Sequence, residues 1–116
     1  MIVDDAQQLV DLLMVVFEAK VHRCYQHENG KIAHIELQLD DSILMISNST
    51  DAYPANKTML HYYVPNVYET FDKAILNGCE LIEKPIQQQG DSDIRCSFYD
   101  TAGNYWSVSS QSELIN

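Results

Sequence analysis

Displaced by 61 positions, the second half of this chain lies over the first without a gap, and this repeat limits its possible folds more than any other feature. Val3 falls on Val64, Asp5 on Asn66, Val10 on Phe71 and Asp11 on Asp72; farther along, Leu37 falls on Phe98, Leu44 on Tyr105 and Met45 on Trp106. Identities are few. The agreement lies in residue type and period: helix pattern meets helix pattern and strand parity meets strand parity, as duplication of one βαβββ unit gives. The alternative is a coincidental match between two α+β halves.

Within the first half, Asp4 and Asp5 can cap a helix whose apolar positions Ala6, Leu9, Val10, Leu13, Met14 and Phe17 follow the spacing of one buried stripe. Leu12, Val15 and Val16 widen that stripe, so the helix either meets a second surface, such as another subunit, or is deeply buried. A short strand is expected from Val21 to Tyr25, then a reversal at His27-Glu28-Asn29-Gly30. From Lys31 to Leu39 the chain alternates, with Ala33, Ile35, Leu37 and Leu39 on one face and His34, Glu36 and Gln38 on the other. Ile43 to Ser47 continues as an apolar strand.

The second half predicts a strand over 59–64, a helix over about 67–77 ended by Gly78, and strands around 81–85, 94–99 and 105–109, the last two joined by a turn at 100–104. The expected organisation is one domain over 1–116: a first module at about 1–50, a linker at 51–57 and a second module at about 58–112. One defect stands out. Displacing the strand over 59–64 by 61 asks for a strand that begins before residue 1, so only the stub Met1-Ile2-Val3 answers to it. Such a stub leaves an open strand edge, and a homodimer is expected.

Seventeen acids against seven bases give 7 − 17 = −10, which disfavours nucleic acid and anionic membrane surfaces as partners. The longest apolar run, Leu12 to Phe17, falls far short of the roughly 20 residues that cross a bilayer, and no leader pattern precedes it. Three cysteines without a CxxC spacing indicate neither a disulfide framework nor a zinc knuckle, so a cytoplasmic location is expected. Cys96 faces the helices by parity, and Cys24 and Cys79 lack an activating neighbour.

The order of several motifs carries a family resemblance across nearly the whole chain. These are Val3-Asp4-Asp5-Ala6 leading into a helix, Gly30 to Leu37 running on to Asp41-Ser42-Ile43-Leu44-Met45, and Tyr63-Val64-Pro65-Asn66-Val67 leading into the second helix. Most specific is Phe98-Tyr99-Asp100-Thr101-Ala102-Gly103-Asn104-Tyr105-Trp106. In these the sequence resembles the vicinal oxygen chelate superfamily, which includes glyoxalase I, bleomycin-resistance proteins and extradiol dioxygenases, and within it the PhnB-like branch. The resemblance implies an α+β fold of two βαβββ modules whose mixed sheets curl around a cleft, often completed by dimerisation. It also implies four metal-ligand places. The first has no counterpart here, and the others fall on Met59, Ser47 and Val108, none of them a carboxylate or imidazole. A bound metal is therefore not expected at the inherited place.

Parity puts His34, Glu36, Gln38, Met45, Ser47, Met59, His61, Tyr63, Arg95, Ser97, Tyr99, Trp106 and Val108 on the faces opposite the helices, which by the resemblance line the cleft. Of these, His34, Glu36, Gln38, His61, Tyr63, Arg95, Tyr99 and Trp106 are the candidate ligand-binding residues. His34 and His61 can shuttle a proton or, with Glu36, hold a relocated metal; each can equally be a hydrogen-bonded sheet histidine. Arg95, one of only two arginines, suits a carboxylate or phosphate, or else an ion pair with Glu36. Trp106, Tyr63, Tyr99 and Met59 offer walls for a planar ligand or ordinary packing. No nucleophile or phosphate-loop motif is present, and Gln87 to Asp93 reads as a solvated loop. The expected function is small-molecule binding without the metal; the alternative is a metal-dependent lyase, isomerase or dioxygenase at His34, Glu36 and His61.

Overall fold

The computed structural model describes residues 1–114. The chain forms two compact units that divide after Lys57. In the first, β1 (Ile2–Val3) is followed by α1 (Ala6–Val16), β2 (Lys20–Gln26), β3 (Ile32–Leu39) and β4 (Ser42–Asn48). The second repeats this order with β5 (Met59–Tyr63), α2 (Val67–Leu76), β6 (Glu80–Gln87), β7 (Asp93–Tyr99) and β8 (Tyr105–Gln111), and adds a short 3-10 turn. Each unit is thus βαβββ, and the class is α+β. The sheets run β1-β4-β3-β2 and β5-β8-β7-β6, with the first-named pair parallel and the rest antiparallel. No helix among the described residues is long and apolar enough to cross a membrane.

Both helices start where a side chain satisfies the first amides. The Asp5 carboxylate accepts from the Gln8 N–H at 3.1 Å, and the Asn66 amide oxygen accepts from the N–H groups of Tyr68 and Glu69. On α1 the buried arc runs from Leu12 through Leu9 and Leu13 to Val10. At 100° per residue Met14 falls about 40° beyond that arc. Met14 is accordingly exposed beside Val15, which corrects its place in the expected stripe. On α2, Val67, Thr70, Phe71 and Ala74 are buried, and the helix lies on β6, β7 and β8.

The repeat is closer in structure than in sequence, but it is not gapless. Both outer strands carry a register shift at the same place, between Val21 and Arg23 in β2 and between Leu81 and Glu83 in β6, an offset of 60. Strands β3 and β7 match at 61. The pair Gln38 and Ile43 answers to Tyr99 and Tyr105, so β4 and β8 match at 62. Helix α1 is one residue longer than α2, 11 against 10, which accounts for the first slip. The second arises at the turn before the last strand: Leu39 pairs with Ser42 across two residues, whereas the Asp100 N–H reaches the Asn104 carbonyl across three.

A shift of one residue turns every side chain of a strand to the other face. Trp106 therefore pairs with Phe98, and Val108 with Cys96, on the helix-facing side, where all four are at most 1% exposed. Trp106 and Val108 thus lie on the face opposite to the one that strand parity alone predicts.

Buried Asp100 explains why the turn is built as it is. Its carboxylate accepts from the backbone N–H groups of Ala102 and Asn104, from the Asn104 side-chain amide, and from the Trp106 indole N–H at 2.8 Å. Asn104 in turn accepts from the Thr58 N–H at 2.9 Å, which ties the turn to the start of β5. The motif that most marks the family resemblance is thus a fold determinant, whose polar groups are consumed internally.

Candidate functional site

In the second unit, register places the helix-averted side chains of β5, β8 and β7 in three rows across the sheet. Tyr63, Ser109 and Arg95 form the first row, His61, Ser107 and Ser97 the second, and Met59, Tyr105 and Tyr99 the third. Neighbours within a row are about 4.8 Å apart and successive rows about 7 Å. On β7 and β8 the middle row is low, because Ser97 and Ser107 are small and buried, while His61 on β5 stands exposed between Tyr63 and Met59; Ser109, also buried, lies in the first row beside Arg95, and Tyr99 is exposed in the third. A shallow trough results, about 13 Å between its end rows, floored by hydroxyls.

Its two ends differ chemically. At the first, the Tyr63 hydroxyl donates to Asp93 at 2.6 Å, and the Arg95 Nε–H donates to the Ser109 hydroxyl at 3.3 Å. Arg95 Nη2 lies 3.9 Å from the Asp91 carboxylate. The hydrogen bond to Asp93, followed by the nearby negative charge, raises the Tyr63 pKa above its usual 10 and keeps the phenol protonated. At the other end, Tyr99 and Tyr105 meet edge to face with ring centres 6.1 Å apart. His61 stands between Met59 and Tyr63, and its imidazole ring has no hydrogen-bond partner among the described residues.

The matching face of the first unit is closed upon itself. His34 Nε2 lies 3.0 Å from Glu36 Oε2, and Arg23 approaches the other carboxylate oxygen at 4.0 Å from β2. Glu36 is shielded, and its pKa falls below the usual 4.5 chiefly through the hydrogen bond with His34, against the desolvation that opposes it. Tyr25 tilts over His34 with ring centres 6.2 Å apart. Gln38 donates to the Asp40 carbonyl of its own turn.

The candidate residues therefore separate. His34 and Glu36 come together, Gln38 serves a turn, and Tyr63, Arg95 and Tyr99 share the trough with His61, while Trp106 belongs to the core. Arg95 pairs with Asp91 and Glu36 with Arg23, each within its own unit. Sequence reading missed Ser107, Ser109 and Tyr105 as trough residues. The signal was present in Tyr105-Trp106-Ser107-Val108-Ser109, where the bulky apolar residues alternate with serines and so claim the core face.

A divalent cation of the kind the family resemblance implies needs several nitrogen or oxygen donors at about 2.0–2.2 Å. Met59 offers a thioether, Val108 is in the core, its trough-facing neighbours Ser107 and Ser109 are hydroxyls, and Glu36 is already engaged. Among the described residues no three His, Cys, Asp or Glu side chains are grouped to hold a metal. These side chains do not fit such an ion.

No protein-family model matches the sequence, and no curated protein matches it. Solved structures do match. The chain is similar to TioX from Micromonospora sp. ML1, with 19% identity, 96% of this chain and 94% of that chain covered, and a TM-score of 0.81. It is similar to a glyoxalase/bleomycin resistance protein/dioxygenase family enzyme from Burkholderia phytofirmans PsJN, with 15% identity, coverage of 96% and 94%, and a TM-score of 0.77. The fosfomycin resistance protein FosX from Listeria monocytogenes, solved as a mutant with Mn(II) and 1S,2S-dihydroxypropylphosphonic acid, matches at 16% identity, coverage of 93% and 82%, and a TM-score of 0.69. At such identities what is shared is the fold, that of the vicinal oxygen chelate proteins.

Proposed function

We propose that this chain uses the vicinal oxygen chelate fold to bind a small organic molecule in the trough of its second unit, without the metal that FosX carries. The observation that carries this reading is the pair of small buried serines, Ser97 and Ser107, between a charged end that also holds Ser109 and an aromatic end. Small side chains at the centre of a sheet face leave room that larger ones would fill, and hydroxyls can satisfy polar atoms of a guest. A flat molecule lying along the trough would rest against Tyr99 and Tyr105 and direct its polar group to a serine hydroxyl or, where that group can accept a hydrogen bond, to Arg95.

Calorimetric titration with indole and p-cresol, each flat with one polar group, tests the reading. Both are expected to bind the wild type, and Ser107→Leu, which fills the floor, is expected to weaken them about tenfold or more. Absence of binding at millimolar concentration, or binding unaffected by Ser107→Leu, would overturn it.

A second reading, proton transfer, is favoured by the 3.0 Å contact between His34 and Glu36: a carboxylate that holds one ring nitrogen leaves the other free to take a proton. Arg23 and Tyr25 are already engaged with this pair, whereas the Arg95 Nη groups in the trough hold no hydrogen bond among the described residues, so binding is the better supported of the two.

A further inference from the structure

Resting on the trough as the binding face, we infer that its ligand carries a zwitterionic head group, a carboxylate and an ammonium on neighbouring atoms, as in an α-amino acid with an aromatic side chain. Arg95 uses only its Nε–H in a hydrogen bond, to Ser109. Its Nη groups make none among the described residues, and the Asp91 oxygen at 3.9 Å stands beyond hydrogen-bond range. The free edge of a guanidinium matches a carboxylate in two parallel hydrogen bonds.

A simple anion would nevertheless meet resistance. Asp91 and Asp93 flank Arg95, so the local sum is 1 − 2 = −1, in a chain whose net charge is −10. The two acids are not equivalent. Asp93 receives the Tyr63 hydroxyl, and Asp91 Oδ1 receives the Asp93 N–H, but Asp91 Oδ2 has no hydrogen bond. An unfilled carboxylate oxygen thus faces unfilled guanidinium donors across a gap that neither closes. A head group with both signs fills both sides, its carboxylate on Arg95 and its ammonium on Asp91, and adds no net charge. A ring one carbon from the amino acid's Cα would then lie over the serine row, about 7 Å along, and point to Tyr99 and Tyr105.

Titration of the wild type with L-phenylalanine, 3-phenylpropionate and phenethylamine tests the inference, because the last two each keep one charge of the first. Phenylalanine is expected to bind about tenfold tighter than either. Asp91→Asn is expected to lower phenylalanine to the level of 3-phenylpropionate, and Arg95→Gln to lower it to that of phenethylamine. Equal binding of phenylalanine and either single-charge probe would overturn the inference, as would indifference of phenylalanine to both variants. If indole and p-cresol bind while phenylalanine does not, the head group is wrong and the trough stands; if those two also fail, the trough itself is refuted.

Discussion

Asp100 shows most plainly how one side chain decides local structure here. Four groups donate to a buried carboxylate, so its removal takes their shared acceptor from the Trp106 N–H and from two N–H groups of Asn104. Asp100→Ala is expected to lower unfolding free energy by about 2–4 kcal/mol, measured by urea titration. Trp106 is the single tryptophan, so its fluorescence reports the same event directly. The two buried thiols give a pH dependence. Burial pushes Cys79 and Cys96 up to about 12, above the usual thiol value of 9. Between these values the folded chain holds protons that the unfolded chain releases, so stability is full below pH 9 and falls as pH rises toward 12. Replacing both by alanine is expected to flatten that decline in thermal melts across pH 9 to 11; an unchanged slope would assign it elsewhere.

At the scale of elements, helix ends and strand order were legible in the sequence, because caps, a 3.6-residue period and alternation are local signals. Asp5, Asn66 and Gly78 each mark an end that the structure has. Gly78 adopts φ +101°, and Glu18, 60 positions earlier, adopts φ +56° after α1. Gly78→Ala has space for its methyl group, with the nearest atom 3.9 Å away, so the cost is backbone strain alone. A loss of about 1–2 kcal/mol is expected in chemical denaturation. What the sequence concealed was register. A turn longer by one residue leaves composition untouched yet reverses β8, which moved Trp106 out of the candidate site and brought Ser107 and Ser109 in. The Asp91 contact to Arg95 was equally hidden, since it depends on how the loop after β6 folds back. His34 and Glu36, two apart on one strand, were readable as neighbours.

For the whole molecule, association is the property most open to test. Strand β4 pairs with β1 at Ser47 and Asn48, and the Met1 amino group donates to the Met45 carbonyl, which leaves Ser42 to Leu44 without a partner strand on that edge among the described residues, beside exposed Ile43 and Met45. The outer strand β2 is exposed along its full length. We expect a homodimer, with light scattering at micromolar concentration giving twice the 13.3 kDa of one chain; a monomer mass would contradict this. The central claim, that the hydroxyl-floored trough of β5, β8 and β7 is the binding face, is tested most directly by amide NMR of the labelled protein titrated with indole. The account predicts shift changes concentrated at Ser97, Tyr99, Tyr105, Ser107 and His61. Changes centred instead on β2 and β3 around His34 and Glu36, or none at millimolar indole, would contradict it.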